Sequence, residues 1–184
     1  MDGITSGGGG STVTIGVSVA VPDPYGARIQ DARAGYGDPL ARAVPTHVTL
    51  LPPTEVPLER LGAIELQLSA AAARQRPFRV LLHGSGSFRP VSPVVYVRLE
   101  AGVRECRRLE AVVRSGLLAR ELAFPYHPHV TVAQALDESV LDRAQRDFRD
   151  YRAEFEVPGF CLYVCGDDQV WRPELHLGFG SADG

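Results

Sequence analysis

Two copies of the tripeptide His-Val-Thr occur in this chain, at 47–49 within "PTHVTLLPP" and at 129–131 within "HPHVTVAQ". On an extended strand, side chains at i and i+2 share a face, roughly 6.5–7 Å apart. His47 and Thr49 therefore point one way, while Val48 and Leu50 point the other. The same holds for His129 with Thr131 against Val130 and Val132. The apolar set explains why each strand is buried on one side. The polar set needs another reason, and two matched sets can meet across one cleft. With five histidines in 184 residues, two such His-x-Thr spacings arise by accident in about one sequence in a hundred, whereas a single one carries almost no information.

The chemistry that wants two histidines and two hydroxyls is phosphoryl transfer at a ribose. Histidine titrates at about pH 6.5, so one ring can be a base while the other is an acid. One group deprotonates the attacking oxygen and the other protonates the leaving oxygen. The threonine hydroxyls donate hydrogen bonds to the non-bridging phosphate oxygens, where charge builds in the transition state. A metal is not needed for this. His127, two residues before His129, makes "HPH", but zinc wants three or four ligands and no Glu or Cys stands at suitable spacing. A rim or supporting role is the expectation for His127.

The other candidates read as structural. His83 precedes "GSGS", which without a following helix and lysine is a hairpin turn and not a phosphate loop. His176 in "ELHLGF" reads as a sheet residue. Tyr126, Phe88 and Trp171 have rings that can stack on a base, or pack in the core or at the cleft rim. Arg42, Arg89 and Arg98 can reach a phosphate, although a solvated surface is the default for a lone arginine.

Elements must hold these residues in place. Residues 12–21 alternate, with Val13, Ile15, Val17, Val19 and Val21 on one face of a strand. Tyr25, Ile29, Ala32 and Tyr36 follow at helical spacing. After the first motif strand, a helix is expected from about Leu58 to Arg76, with Leu61, Ile64, Leu68 and Ala72 as its stripe. "PFRVLLHGSGSF" and "SPVVYVRL" read as two strands joined through the Gly/Ser turn. A helix from about Val103 to Leu118 turns Cys106, Leu109, Val113 and Leu117 inward. The second motif strand precedes a helix capped by Asp137, with Leu141, Ala144, Phe148 and Tyr151 as its stripe. "EFEVPGFCLYVCGDDQVWRPELHLGF" closes the chain as two strands around Asp167-Asp168. Each half thus offers a motif strand, a helix after it and a closing hairpin, as in a degenerate repeat. The expected architecture is α+β and bilobal, two small mainly antiparallel sheets backed by helices around a central cleft.

A chain of 184 residues with 45% hydrophobic content can bury one core. One two-lobed domain over 12–184 is expected, behind a flexible polar lead-in at 1–11. The formal charge is −3 and every one of the 19 basic residues is arginine, so no strong basic field points to duplex DNA. The three cysteines, Cys106, Cys161 and Cys165, lack zinc spacing and read as buried small hydrophobes in a reducing compartment. No stretch has the apolar length to span a bilayer and the N-terminus is unlike a secretory signal, so a cytoplasmic protein is expected. Both motifs lie in one chain, which favours a monomer.

Taken together, the paired His-x-Thr strands, the opening "VSVAVPDP", the "PFRVLLHGSGSF" segment before "VVYVRL" and the "PYHPHVTVA" stretch resemble the two-histidine phosphoesterase superfamily. The likeness is to its bacterial RNA 2′,5′-ligase and cyclic phosphodiesterase branch, from about Val13 to Phe179. The resemblance implies a central cleft and a site that uses no metal or other cofactor. It implies His47 and His129 as the acid–base pair and Thr49 and Thr131 as phosphate donors. The substrates it implies are 2′,3′-cyclic phosphates of nucleotides or RNA ends, ADP-ribose cyclic phosphate and 2′,5′ linkages. Many bacterial members carry an arginine shortly after the second motif, where this chain has Gln134, which donates a hydrogen bond but brings no charge. Tyr126, His127 and Gln134 are thus secondary candidates. The expected function is a phosphoesterase that opens 2′,3′-cyclic phosphates and extends to reversible 2′,5′ ligation. The alternative is a catalytically silent module that binds nucleotides or RNA ends in the same cleft.

Overall fold

The computed structural model describes residues 11–180. All of the expected lead-in except Ser11 lies outside them. In chain order the elements are β1 (Thr12–Ala20), α1 (Tyr25–Tyr36), β2 (His47–Pro57), α2 (Leu61–Ala73), β3 (Phe78–Ser87), β4 (Val94–Ala101) and α3 (Val103–Val113). They continue with β5 (His129–Gln134), α4 (Glu138–Asp147), β6 (Arg152–Val157), β7 (Gly159–Cys165) and β8 (Trp171–Gly178). Short 3₁₀ turns at Leu58–Arg60 and Gly116–Leu118 precede α2 and follow α3.

The architecture is α+β, with four helices against antiparallel strands in the order β6-β3-β4-β5-β2-β1-β7-β8. The two expected sheets are the two halves of this one curled sheet, joined at its centre by the antiparallel pair Val48–Val130. All four apolar residues beside the motif polar groups, Val48, Leu50, Val130 and Val132, are buried in the core. Two of the helices cross over between halves. Helix α1 packs against β5 and α3 packs against β2, so each motif strand is backed by the helix that leads into the other one's half. The spatial repeat is therefore β1-α1-β2 against β4-α3-β5. The strand β4, which reads in sequence as the close of a first-half hairpin, holds the place beside β5 that β1 holds beside β2.

Several local expectations change for identifiable reasons. Strand β2 does not stop at its prolines but runs through Pro52-Pro53 to Pro57. Its register with β1 jumps from Leu51 to Thr54 at a bulge, so neither proline is asked for a ladder hydrogen bond. The "GSGS" segment is not the turn; β3 continues through it, and the connection to β4 lies at 88–93. Gly84 sits at φ +69° inside a register shift, and a Cβ on Gly86 would lie 2.7 Å from ring carbons of Tyr96. Those glycines serve a bulge and a close ring contact, which mimic turn composition in sequence.

Helix α3 ends at Val113, and the 3₁₀ turn buries Leu118 while Leu117 is exposed. Asp137 precedes α4, but its side chain makes no capping bond; its carbonyl accepts from Val140 and Leu141. "EFEV" is a separate strand, β6, paired with β3, so the C-terminal segment holds three strands and not two. The helical stripes otherwise sit in the core as expected, with Ile29, Ile64, Leu68, Cys106, Leu109, Leu141 and Ala144 buried. The three cysteines are free, with Cys106 and Cys161 buried and Cys165 partly so. Among the described residues no helix is long and apolar enough to cross a membrane.

Candidate active site

The alternation of β2 and β5 puts His47, Thr49, His129 and Thr131 on the sheet face opposite their buried valines. The antiparallel register about Val48–Val130 sets His47 toward Thr131 and Thr49 toward His129. All four line a single cavity of about 360 Å³, together with Gln134 from the end of β5. Its walls also include Gly16 and Ser18 of β1, Arg33 of α1, Tyr163 of β7 and Trp171 of β8.

The same local device orients both histidines. Nδ1 of His47 donates to the carbonyl of Pro45 at 2.6 Å, and Nδ1 of His129 donates to the carbonyl of His127 at 2.7 Å. A carbonyl only accepts, so Nδ1 carries the proton in each ring. Nε2 is then the nitrogen that titrates. Nε2 of neutral His47 accepts from the Thr49 hydroxyl at 3.1 Å. The residue between carbonyl and ring is Thr46 in one motif and Pro128 in the other. Thr46 is buried, its hydroxyl bonded to the Gly26 carbonyl and the Gln30 side chain, which ties the entry of β2 to α1.

Both histidines are held below the ordinary histidine range, chiefly because burial disfavours their charged forms. For His47 the bond to Pro45 opposes this and the Arg33 charge reinforces it. For His129 the His127 carbonyl opposes it, while His127 and His47 add like-charge repulsion. That mutual repulsion fits rings that share one cavity.

Arg33 brings a cation to the wall, but a committed one. Its guanidinium pairs with Asp38 at 2.9 Å and donates to the Val44 carbonyl at 2.8 Å, with Arg33 and Asp38 both buried. This pair fixes the loop that delivers Pro45 and His47. Breaking such a pair costs more than it gains in forming, since one charge is left buried.

The secondary candidates separate. Gln134 lines the cavity. Tyr126 and His127 do not; they support it from behind. The Tyr126 hydroxyl donates to the Thr49 carbonyl at 2.8 Å, and burial pushes its phenol well above the ordinary range. His127 lends its carbonyl to His129, and its own ring is exposed and lies edge-on to Phe88 and Tyr96, with centroids 5.5 and 5.4 Å away. Phe88 and Tyr96 also pack edge-on against His129, at 4.9 and 5.3 Å. Of the rings that can meet a base, Trp171 faces the cavity, where Gly16 leaves room for it: a Cβ there would sit 3.0 Å from the indole. Arg89 is spent on Glu138, Asp142 and Gln145 outside the cavity, and His83 pairs with Glu100.

Sequence reading missed Ser18, Arg33 and Tyr163 as wall residues. Ser18 sits in an alternating strand as one of its small residues, and Arg33 is one arginine among 19. The carbonyl hooks were hidden as well, although prolines at 45 and 128 near the two histidines were a faint sign of them. Among the described residues no group of three His, Cys, Asp or Glu side chains is placed to hold a metal ion.

Comparison with known proteins places these features in a family. A Bacillus cytotoxicus protein provisionally named a phosphoesterase is 32% identical over 162 residues, covering 83% of this chain and 92% of that protein. A Bacillus cereus relative with the same provisional name is 31% identical over the same shares. Among solved structures, E. coli LigT complexed with 3′-AMP superposes with a TM-score of 0.66 at 24% identity, over 93% of this chain and all of that one. A Thermus thermophilus protein matches with a TM-score of 0.66 at 23% identity, over 92% of this chain and 99% of that one. At such identity these two structures speak for the fold. The 2′-5′ RNA ligase superfamily matches residues 21–169, a span that takes in both motif strands, and the chain belongs to that superfamily.

Proposed function

We propose that this chain is a phosphoesterase that opens 2′,3′-cyclic phosphates of nucleotides or RNA ends with His47 and His129 as its acid–base pair. The single observation that carries the reading is two Nε2 atoms on one cavity, each ring fixed by an Nδ1–H bond to a carbonyl two residues upstream. One Nε2 takes a proton from water as its oxygen attacks phosphorus. The other, protonated, gives its proton to the ribose oxygen as the P–O bond breaks, leaving a phosphomonoester and a free hydroxyl. Thr131 donates to a non-bridging oxygen, and Thr49 does the same once its single hydroxyl proton turns from His47 Nε2 to the phosphate. Trp171 offers a face for the base. With Gln134 in place of an arginine and Arg33 already paired, a protonated histidine supplies the positive charge that the phosphate meets. Admission of a ribose 5′-hydroxyl in place of water turns the same set to joining ends, so ligation and hydrolysis differ in nucleophile only. Family membership and the provisional names of the Bacillus relatives support phosphoesterase chemistry.

The test is incubation with the four nucleoside 2′,3′-cyclic phosphates in excess EDTA, with product phosphate position read by ³¹P NMR. Monoester formation that resists EDTA is expected. Turnover that vanishes with EDTA and returns with a divalent ion overturns the two-histidine mechanism. A protein that binds the nucleotides, with a raised melting temperature, yet never turns them over is the silent module instead.

A further inference from the structure

A second cavity of about 380 Å³ opens beside β4, lined by Gly84 and Ser85 of β3, Arg98 of β4, and Asp142, Gln145, Arg146 and Arg149 of α4 and its exit. Its charge is lopsided. Three guanidinium groups face one carboxylate, and that carboxylate is already bonded to Arg89 at 2.9 Å. The arginines nearby have evident structural partners: Arg89 bridges Glu138 and Asp142, Arg143 lies over the Tyr36 ring, and Arg28 lies over Tyr151. Among the described residues Arg98, Arg146 and Arg149 have neither a carboxylate partner nor a side-chain hydrogen bond. Arg146 stands in the last turn of α4, where a cation suits the helix dipole. That accounts for one of the three and not for Arg98, which arrives from a different element.

Position gives the charge a meaning. Arg98 is the register partner of His129 across β4–β5, so their Cα atoms lie roughly 5 Å apart. Tyr96, two residues away on the same strand, packs on the His129 ring. The Arg98 charge also helps to depress His127. The basic cavity is thus one strand removed from the catalytic histidine, and nothing larger than Gly84 and Ser85 stands on the β3 side of it.

We propose that this cavity binds an internal phosphodiester of an RNA strand whose 3′ end, closed as a cyclic phosphate, occupies the catalytic cavity. This rests on the functional reading above and narrows it: the preferred substrate is an oligoribonucleotide end and not a free nucleotide. Guanidinium groups suit a phosphodiester because their paired N–H donors match its two free oxygens. Loose contacts of this kind add affinity without base preference.

The experiment compares a nucleoside 2′,3′-cyclic phosphate with a short oligoribonucleotide ending in the same group, for the wild type and for the Arg146→Gln/Arg149→Gln double variant. Both substitutions lie on exposed positions away from the catalytic cavity. The wild type is expected to show a lower KM for the oligonucleotide. The double variant should raise that KM about tenfold while kcat and the mononucleotide constants stay put. The salt slope of oligonucleotide binding should also fall, by about 0.7 for each phosphate left without its arginine. Equal KM for both substrates in the wild type, or an equal loss on both in the variant, overturns the proposal. Unchanged oligonucleotide KM and salt slope in the variant do the same. If the wild type turns over neither substrate, the functional reading has failed on its own. Anisotropy with a labelled oligonucleotide ending in a hydroxyl then reads the cavity separately: weaker, less salt-dependent binding by the variant supports it, and equal binding sinks it.

Discussion

Val48 and Val130 face each other as the register pair that joins β2 to β5, at the centre of the eight-stranded sheet. Because side chains alternate, burying these two valines on one face obliges the residues on either side of each to stand on the other. Two histidines and two threonines are thereby brought to one cavity by a pairing that contains no polar side chain. The helices reinforce this, since α1 backs β5 and α3 backs β2. Displacing either half moves both motifs.

The histidines should be individually indispensable. His47→Ala and His129→Ala are each expected to lower kcat on a cyclic nucleotide by about 10²–10⁴-fold, the range for a positioned acid or base. The double variant should be little worse than either single one, as for residues that act as a unit. Single-turnover assays beside a melting curve check this. Either single variant keeping activity within a few-fold of wild type would remove that residue from the mechanism.

Much of this was readable in the sequence, and the limits have physical causes. Alternation in "HVTL" and "HVTV" showed which side chains share a face, and the repeat of the tripeptide suggested they meet. The α+β class and all four helices follow from periodicity. Periodicity cannot say that the sheet is continuous, because one pair of valines makes that difference. Nor does it show that "GSGS" continues a strand, since a glycine under a tyrosine ring and a glycine in a turn look alike. Arg33 escaped notice because its importance comes from Asp38 and Val44, five and eleven residues along the chain. The carbonyl hooks on Nδ1 are backbone features, which side-chain patterns do not encode.

The threonines should differ from each other. Thr49→Val and Thr131→Val keep the shape and remove the hydroxyl, and each is expected to cost about 10²-fold in kcat, as for loss of one preorganised donor. Only Thr49 is bonded to a histidine, at 3.1 Å from His47 Nε2. Thr49→Val should therefore also shift the pH–rate profile, while Thr131→Val should lower it without a shift. Identical displacement of both profiles would contradict the asymmetry.

The pH dependence follows from burial. His47 and His129 both titrate below the ordinary value of about 6.5. At neutral pH the free enzyme thus holds both rings neutral, and the form with one protonated acid grows as pH falls. The bell for kcat/KM should peak on the acid side of 6.5, and a maximum above pH 7 would contradict this. Stability moves the opposite way. The unfolded chain takes up protons near pH 6.5 that the native rings refuse, so stability present above that pH is lost as pH falls below it. The melting temperature should drop from pH 7 to 5, and less so in a His47→Gln/His129→Gln variant.

Gly86 offers a way to disturb the site without touching it. A Cβ there would press on the Tyr96 ring at 2.7 Å, and that ring packs on Phe88 at 4.4 Å and on His129 at 5.3 Å. Tyr96 is buried, so it has little room to yield. Gly86→Ala is expected to cost about 1–3 kcal/mol, as other overpacked sites do. Because the ring pushed aside borders His129, the proposed acid or base, kcat should fall further than the stability loss alone would cause at a temperature well below melting. Adding Tyr96→Leu opens the space that the methyl needs, so the double variant should recover stability relative to Gly86→Ala. It should not recover full activity, since His129 then lacks the edge that holds its ring. Denaturant melts and kcat at one temperature separate the two effects. A Gly86→Ala protein with wild-type stability and kcat would show that the Tyr96 ring is not a fixed wall of the site.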